Sequence, residues 1–525
     1  MNVLLEYSTL TARFKHGLAI QLKKLYPQST FVGTVTSLGN TEAYLREQTD
    51  IKYEALYDLR KLPAQFLQQP ADLELIREFE QTLEKKSIWR LIAMDRDWGY
   101  QYVKSSYRPH TRIHFMNNQE NIMKVVSGYI KFYQKLLSKY KIQMVIPANG
   151  MNNLSCPILE QVCKNMNIPY LFPETLRTLN YMALTPNKET LFPQIDETYR
   201  EMMAEAKNTD MSKGEELYKE MIESIETQEY FDKTPIDHLK SSWPKTKFVF
   251  LALRGLAAQL LRWHKERKIH RQAEDIHRQS RNFKTLWSNI VYSTLGAYQR
   301  MKLFDKKFYQ DYDPQQKYIY FPLQCTPEYS TQVRATMWIN PLPMIEALSK
   351  SVPAGWRIFV KEHPITLSVR VRDLAFYQEV KKYPNVDFVP ISTNSEELIN
   401  NAQLVINVAG TTGWEAILRG KPVLSFSNNF YDVLDLSVLC TDTEALSVAI
   451  YNEIQRIKEI SSGERKQRMI CFFSAMMKHA FWISHPYKIT GDMECTEEDA
   501  VEIGKTISMK IKEYLEQNHY PGKDN

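Results

Sequence analysis

The sequence predicts an α/β fold of two doubly wound, Rossmann-like domains facing a cleft, with a basic helical connector between them and helices at the C-terminal end. Three observations lead there. In the second half, short apolar runs alternate with helical segments, the pattern of parallel strands joined by helical crossovers. The first half repeats the alternation less clearly. Between them the charge is uneven: residues 254–284 hold nine Lys or Arg against three acids, a net +6 that equals the formal charge of all 525 residues.

In chain order, the first half reads as strand 2–7, helix 12–25, strand 30–36, helix 72–84 and strand 89–94. A long helix over 118–140 leads into strand 144–147, the loop ANGMNN, a helix from Pro157 and strand 170–172. The second half reads as strands 317–323 (KYIYFPL), 356–361 (WRIFVK), 386–389 (VDFV), 404–408 (LVINV), 423–426 (VLSF) and 437–440. Helices are expected at 341–350, 369–382, 395–401, 413–419 and 443–457. The expected units are a first domain over 1–240, a connector over 241–312, a second domain over 313–468, and helices over 469–525 that pack back on the first domain. Internal repeats are not evident, which argues against a solenoid.

Composition removes several classes. Apolar residues make up 43% and charged residues 24%, and 30 Tyr, 23 Phe and 9 Trp give packed cores rather than a disordered chain. Only 17 Gly argues against collagen-like or Gly-rich linker architecture. Six scattered cysteines without a C-x-x-C pair read as reduced thiols of a cytoplasmic protein, not a zinc site. The opening MNVLLEYSTLTARFKHG lacks the apolar core of a signal peptide. No window reaches the ~18 apolar residues of a membrane span. The segment FVFLALRGLAAQLL, residues 248–261, is too short and interrupted to span but suits a bilayer surface. Residues 248–284 therefore read either as attachment to an anionic membrane, peripheral at the inner face, or as a solvated helical connector. Nucleic acid ranks below both, since no zinc finger or RNA-recognition module accompanies the basic segment.

In open α/β sheets, ligands collect at the carboxyl ends of strands. Three polar loops fall there. FPLQCTPEYST places Gln324, Glu328, Ser330 and Thr331 beyond a strand, and VKEHP leaves Lys361 and His363 at another exit. In NVAGTTGWEAILRGKPV, Gly410 and Gly413 flank Thr411 and Thr412 at a helix start, where amides and hydroxyls can hold phosphate oxygens. The same turn can equally be strand-to-helix geometry alone. His363 can pair with a phosphate or ribose, and Glu415 and Glu328 can accept from ribose hydroxyls. In the first half, Glu6, Asp95, Asp97 and Glu174 are candidate acids, Asp95 and Asp97 within MDRDWGY after a predicted strand. The loop with Asn149, Asn152 and Asn153, together with Glu174 and Arg177, reads as sugar-recognising cleft loops or as ordinary turns.

The succession YIYFPLQCTPEYST, IFVKEHP and INVAGTTGWEAILRGKPVLSF resembles the bacterial capsule polysaccharide biosynthesis family, over about residues 313–430. That family comprises glycosyltransferases of the GT-B type, including ones that use CMP-activated Kdo. Many members carry His where this chain has Gln324. The resemblance implies a GT-B-like enzyme with a nucleotide-sugar co-substrate, CMP-linked by analogy, and no separate cofactor or metal. It places Lys361, His363, Gly410, Thr411, Thr412, Gly413 and Glu415 around the nucleotide. Across the cleft a glycan or glycolipid acceptor would meet a carboxylate base, Asp95 or Asp97, with His363 and Glu328 completing the catalytic candidates. The competing readings are a CDP-alditol phosphotransferase of teichoic-acid type, a nucleotide-sugar epimerase, and a non-catalytic glycan-assembly scaffold.

Overall fold

The computed structural model describes residues 1–36, 41–103, 112–148, 153–186, 191–205, 210–226, 245–269, 283–303, 308–310, 312–326, 328–363, 372–490, 493 and 495–518. Its first parallel sheet is built from β1 (Asn2–Tyr7), β2 (Thr30–Val35), β3 (Tyr53–Asp58) and β4 (Met144–Ile146), in the order β3-β2-β1-β4. A small antiparallel sheet follows, from β5 (Phe172–Thr175) and β6 (Tyr181–Thr185). The second parallel sheet holds β7 (Tyr318–Pro322), β8 (Arg357–Lys361), β9 (Val386–Phe388), β10 (Leu404–Asn407), β11 (Val423–Ser425) and β12 (Val438–Leu439). Its order is β12-β11-β10-β7-β8-β9, so the chain runs outward one way from β7 and then returns to start again at β10. Direction reverses between β7 and β10, which opens a crevice at their carboxyl ends. Both sheets and the cleft architecture agree with the α/β expectation.

The strands of the second sheet form because both faces are covered. Tyr318 and Tyr320 face a core with Trp414 and Phe472, while Ile319 and Phe321 face one with Met344, Ile345 and Leu446. Such strands read as continuous apolar runs, which makes β7, β8, β10 and β11 visible in the sequence, whereas β12, at the edge, is only partly covered.

The segment 89–94, expected as a strand, is instead part of the helix Ile88–Ala93. Ile88, Leu91 and Ile92 are buried at helical spacing. Beside β1 lies β4, the strand expected at 144–147. Features without a counterpart in the expectation include the edge strand β3, partly exposed along its length, and β6, while the strand expected at 170–172 meets β5 only at Phe172. The expected helix 369–382 is shorter, Leu374–Val380, and residues 364–371 lie outside the described residues.

The C-terminal stretch ties the molecule together. Helix Ser462–His479 packs on helices Pro193–Ala204 and Ser212–Glu226, in the same core as Tyr318 and Trp414. Strand β13 (Phe481–Trp482) then pairs antiparallel with β6. The last helix, Glu497–Gln517, opens with a capping box at Thr496 and Asp499 and buries Ile503, Ile507 and Ile511 against helix Ala12–Leu25.

Candidate functional site

The crevice between β7 and β10 is shaped by one buried amide. Asn407, the last residue of β10, accepts from the Gly410 backbone N–H at 3.2 Å through its Oδ1. Its Nδ2 donates to Asn429 Oδ1 and to the Tyr431 hydroxyl, each at 2.9 Å. The turn at 410–413 is thereby pinned to the loop after β11. A side-chain carbon on Gly413 would lie 2.1 Å from the Tyr431 oxygen, so only glycine fits there. The Gln324 amide, arriving from β7, lies over Gly410, where a Cβ would meet its Nε2 at 2.6 Å. Exits of the two strands that flank the crevice are therefore in direct contact.

Behind the turn sits a charged cluster. Glu415, on helix Thr412–Leu418, is buried and accepts from the Thr411 hydroxyl at 2.9 Å. Burial raises its carboxyl above the ordinary range, opposed by that hydrogen bond and by the charges of Arg419 and Lys361. Lys361, at the end of β8, donates to Ser395 Oγ at 2.6 Å. Burial lowers its ammonium to about 8, the charge of Glu415 acting the other way. Arg419 pairs with Glu396 at 3.0 Å. Lys361, distant in the chain from Thr411 and Glu415, thus meets them on one side of the crevice.

His363 stands beside them on a braced backbone. The preceding Glu362 is buried; its Oε1 accepts from the His363 N–H at 2.8 Å, and its Oε2 accepts from Arg372 Nε at 3.0 Å and the Tyr377 hydroxyl at 2.8 Å. Arg372 also donates to the Gln324 carbonyl. Burial lowers the His363 imidazole below 6.5, with the Glu328 and Glu362 carboxylates opposing, so the ring is neutral at neutral pH. Glu328 is thus brought to His363, as a partner in charge.

The first-domain candidates are dispersed. Asp95 is buried and saturated: Oδ1 accepts from the N–H groups of Asp97 and Trp98 at 2.7 Å each, and Oδ2 from that of Leu154 at 2.6 Å. It follows a helix and braces the loop before helix Ser155–Asn165. Asp97 faces His114 Nε2 at 3.3 Å, and that ring stacks on Tyr100. Asn153 accepts from Ser155 Oγ at 2.7 Å and the Cys156 N–H at 3.2 Å, starting the same helix. Glu174 reaches Arg334 of the second domain at 3.7 Å. Arg177 has a left-handed backbone, φ 54°, in the β5–β6 hairpin. Asn149 and Asn152 lie outside the described residues. A cavity of about 430 Å³, lined by Asn153, Cys156, Tyr170 and Val333 among others, opens on this side.

Asn407, Glu362 and Arg372 did not stand out in the sequence, although two of them sit inside or beside quoted motifs. An Asn closing a strand before Gly-Thr-Thr-Gly, and the Glu between Lys361 and His363, were the available signals.

Comparison with known proteins adds one family match. Residues 240–455 match a family described as capsule polysaccharide biosynthesis protein. A search among curated proteins returns no match. Among solved structures, the β-Kdo 2,7 transferase of Thermosulfurimonas dismutans KpsC aligns at 12% identity and a TM-score of 0.33, covering 78% of this chain and 96% of that one. Its β-Kdo 2,4 transferase aligns at 14% identity and 0.31, covering 68% and 89%. A UDP-GlcNAc 2-epimerase of Methanocaldococcus jannaschii, in complex with UDP-GlcNAc and UDP, aligns at 11% identity and 0.25, covering 90% and 98%. Scores this low decide neither activity nor substrate. The matched stretch, residues 240–455, holds every residue of the β7–β10 crevice, and over that stretch the chain is similar to the capsule polysaccharide biosynthesis family.

Proposed function

We propose that the chain is a glycosyltransferase of capsule or lipopolysaccharide synthesis, moving a sugar from a nucleotide-sugar donor to a glycan or glycolipid acceptor. The observation that carries this reading is the coincidence of the family match, residues 240–455, with a topological switch point whose exits bear Lys361, His363, the Gly410–Gly413 turn and Glu415. A departing nucleotide phosphate needs positive charge and donors. Lys361 supplies the charge, being mostly protonated at neutral pH, and the turn amides with Thr411 and Thr412 supply donors. On this reading the protein's own groups meet the phosphate without a metal, and the donor is CMP-linked. The neutral His363 ring donates to the phosphate or ribose, and Glu328 orients it.

The acceptor lies on the first-domain side, near the cavity beside Asn153. Asp97, with His114 against it, is the better base, because both oxygens of Asp95 are held by backbone. Among the described residues no helix is long and apolar enough to cross a membrane. A cytoplasmic enzyme working on a lipid-borne acceptor would meet an anionic surface, which suits the basic segment 254–284.

The test is thermal stabilisation of the full chain by CMP, CDP, UDP and GDP, repeated on His363→Ala, followed by product analysis with the nucleotide sugar that binds. One nucleotide should raise the melting temperature, and the variant should lose most of that rise. Folded wild type that responds to none of them refutes the reading. An isomerised donor without acceptor would mean an epimerase, a phospho-alditol product a phosphotransferase, and binding without turnover a scaffold.

A further inference from the structure

The connector is built inside out. Its two described helices, Lys245–Ile269 and Phe283–Leu303, pack along each other. On the first, Val249, Phe250, Leu253, Leu260 and Leu261 are exposed, Phe250 to 63% and Leu261 to 71%, while the polar Gln259 is buried. On the second, Phe283, Trp287, Leu295 and Tyr298 are exposed, while Thr285, Asn289 and Gln299 are buried together with Leu286. Steps of three and four residues put each exposed set on one face of its helix. A helix in water turns such a stripe inward. Single exposed apolar side chains need no explanation, but two stripes with hydroxyl and amide groups on the covered side do.

The helix Phe283–Leu303 is tied to both domains. The Tyr292 hydroxyl meets that of Tyr100 at 2.5 Å, and Gln299 lies against residues 372–374. The stripes are thus held in a fixed relation to the cleft.

Charge decides what covers them. A second copy of the chain would bring the net +6 of residues 254–284 against another +6. An apolar protein surface would leave that charge unanswered. An anionic bilayer answers both, taking the apolar stripes to the acyl boundary and the Lys and Arg to the headgroups. Trp287 and Tyr298 are the residue types that settle at headgroup level. We propose that this helical pair is a membrane anchor that lies in the plane of an anionic leaflet, its apolar stripes seated among the acyl chains. This goes beyond the transferase reading and does not require it, since the contact involves no donor.

The experiment is co-sedimentation of the full chain with vesicles of phosphatidylcholine alone and of phosphatidylcholine mixed with phosphatidylglycerol. Wild type should bind the anionic vesicles, and salt should weaken that binding without abolishing it. The variant Phe250→Ser/Leu253→Ser/Leu261→Ser/Trp287→Ser should lose on the order of 100-fold in vesicle affinity. Its thermal melting should stay that of wild type, because the four side chains are exposed. Arg254→Gln/Lys284→Gln should weaken anionic binding by about 30-fold. The proposal is overturned if folded wild type stays in the supernatant with both vesicles, or if the fourfold variant binds as wild type does. It is equally overturned if wild type is an oligomer that the fourfold variant converts to monomer, because the face then joins copies of the chain.

Discussion

Asn407 gives the second-domain turn its shape, and the consequence is sharpest at its neighbour Gly413. Gly413→Ala puts a methyl onto the Tyr431 hydroxyl, and overpacking of this kind costs about 1–3 kcal/mol. Removing that hydroxyl relieves the tightest contact and leaves those to Asn407 Cβ and Cγ at 2.9 Å, so Gly413→Ala should cost measurably less, but still something, in a Tyr431→Phe background, and urea unfolding of the four proteins reads the coupling. Lys361 predicts a pH effect. Its folded value of about 8 lies below the ordinary 10.5, so between them the unfolded chain binds a proton that the folded one has released. This lysine therefore weighs against folding below about 8, and its penalty is relieved as pH rises from there to 10.5. Nucleotide affinity should move oppositely, falling as pH climbs through about 8, because the cation is lost. Calorimetric titration on either side of that pH should show the fall in wild type and none in Lys361→Met.

At the scale of elements, helix Ile88–Ala93 and the turn after it separate two acids that look equivalent in MDRDWGY. Asp95→Ala strips an acceptor from three backbone N–H groups and should cost about 3 kcal/mol or more in urea unfolding. Asp97→Asn, at a partly exposed carboxylate, should leave stability within about 0.5 kcal/mol and reduce transfer. Strands buried on both faces were legible because they are unbroken apolar runs, as KYIYFPL shows for β7. Edge strand β3, reading YEALYD, mixes charge and partial exposure and carries no such signal. IWRLIA is rich in strand formers, and only the burial of Ile88, Leu91 and Ile92 reveals it as a helix. For the site, the strand-exit motifs placed Lys361, His363 and the Gly410–Gly413 turn near one another. The Lys361–Glu415 juxtaposition and the Glu362–Arg372 ion pair are set by tertiary packing, which no local pattern encodes.

Across the whole molecule, the second domain reaches into the first. Tyr329 and Val333, after β7, join the core that holds Tyr129, Tyr133 and Leu159, and Arg334 adds the ion pair to Glu174. Val333→Ser should loosen that seat, and scanning calorimetry should then resolve two transitions where wild type shows one. The C-terminal helix has another kind of reach. Helix Ala12–Leu25 is synthesised long before its partner Glu497–Gln517. At about 5–20 residues per second, the ribosome takes roughly 25–100 s to pass from one to the other. Throughout that interval the apolar face of the early helix, with Leu18 and Leu22, lacks its late cover. Completion of the first domain therefore waits for residues 497–517, and a nascent chain stalled before residue 497 would display a greasy surface on helix Ala12–Leu25 to chaperones and proteases.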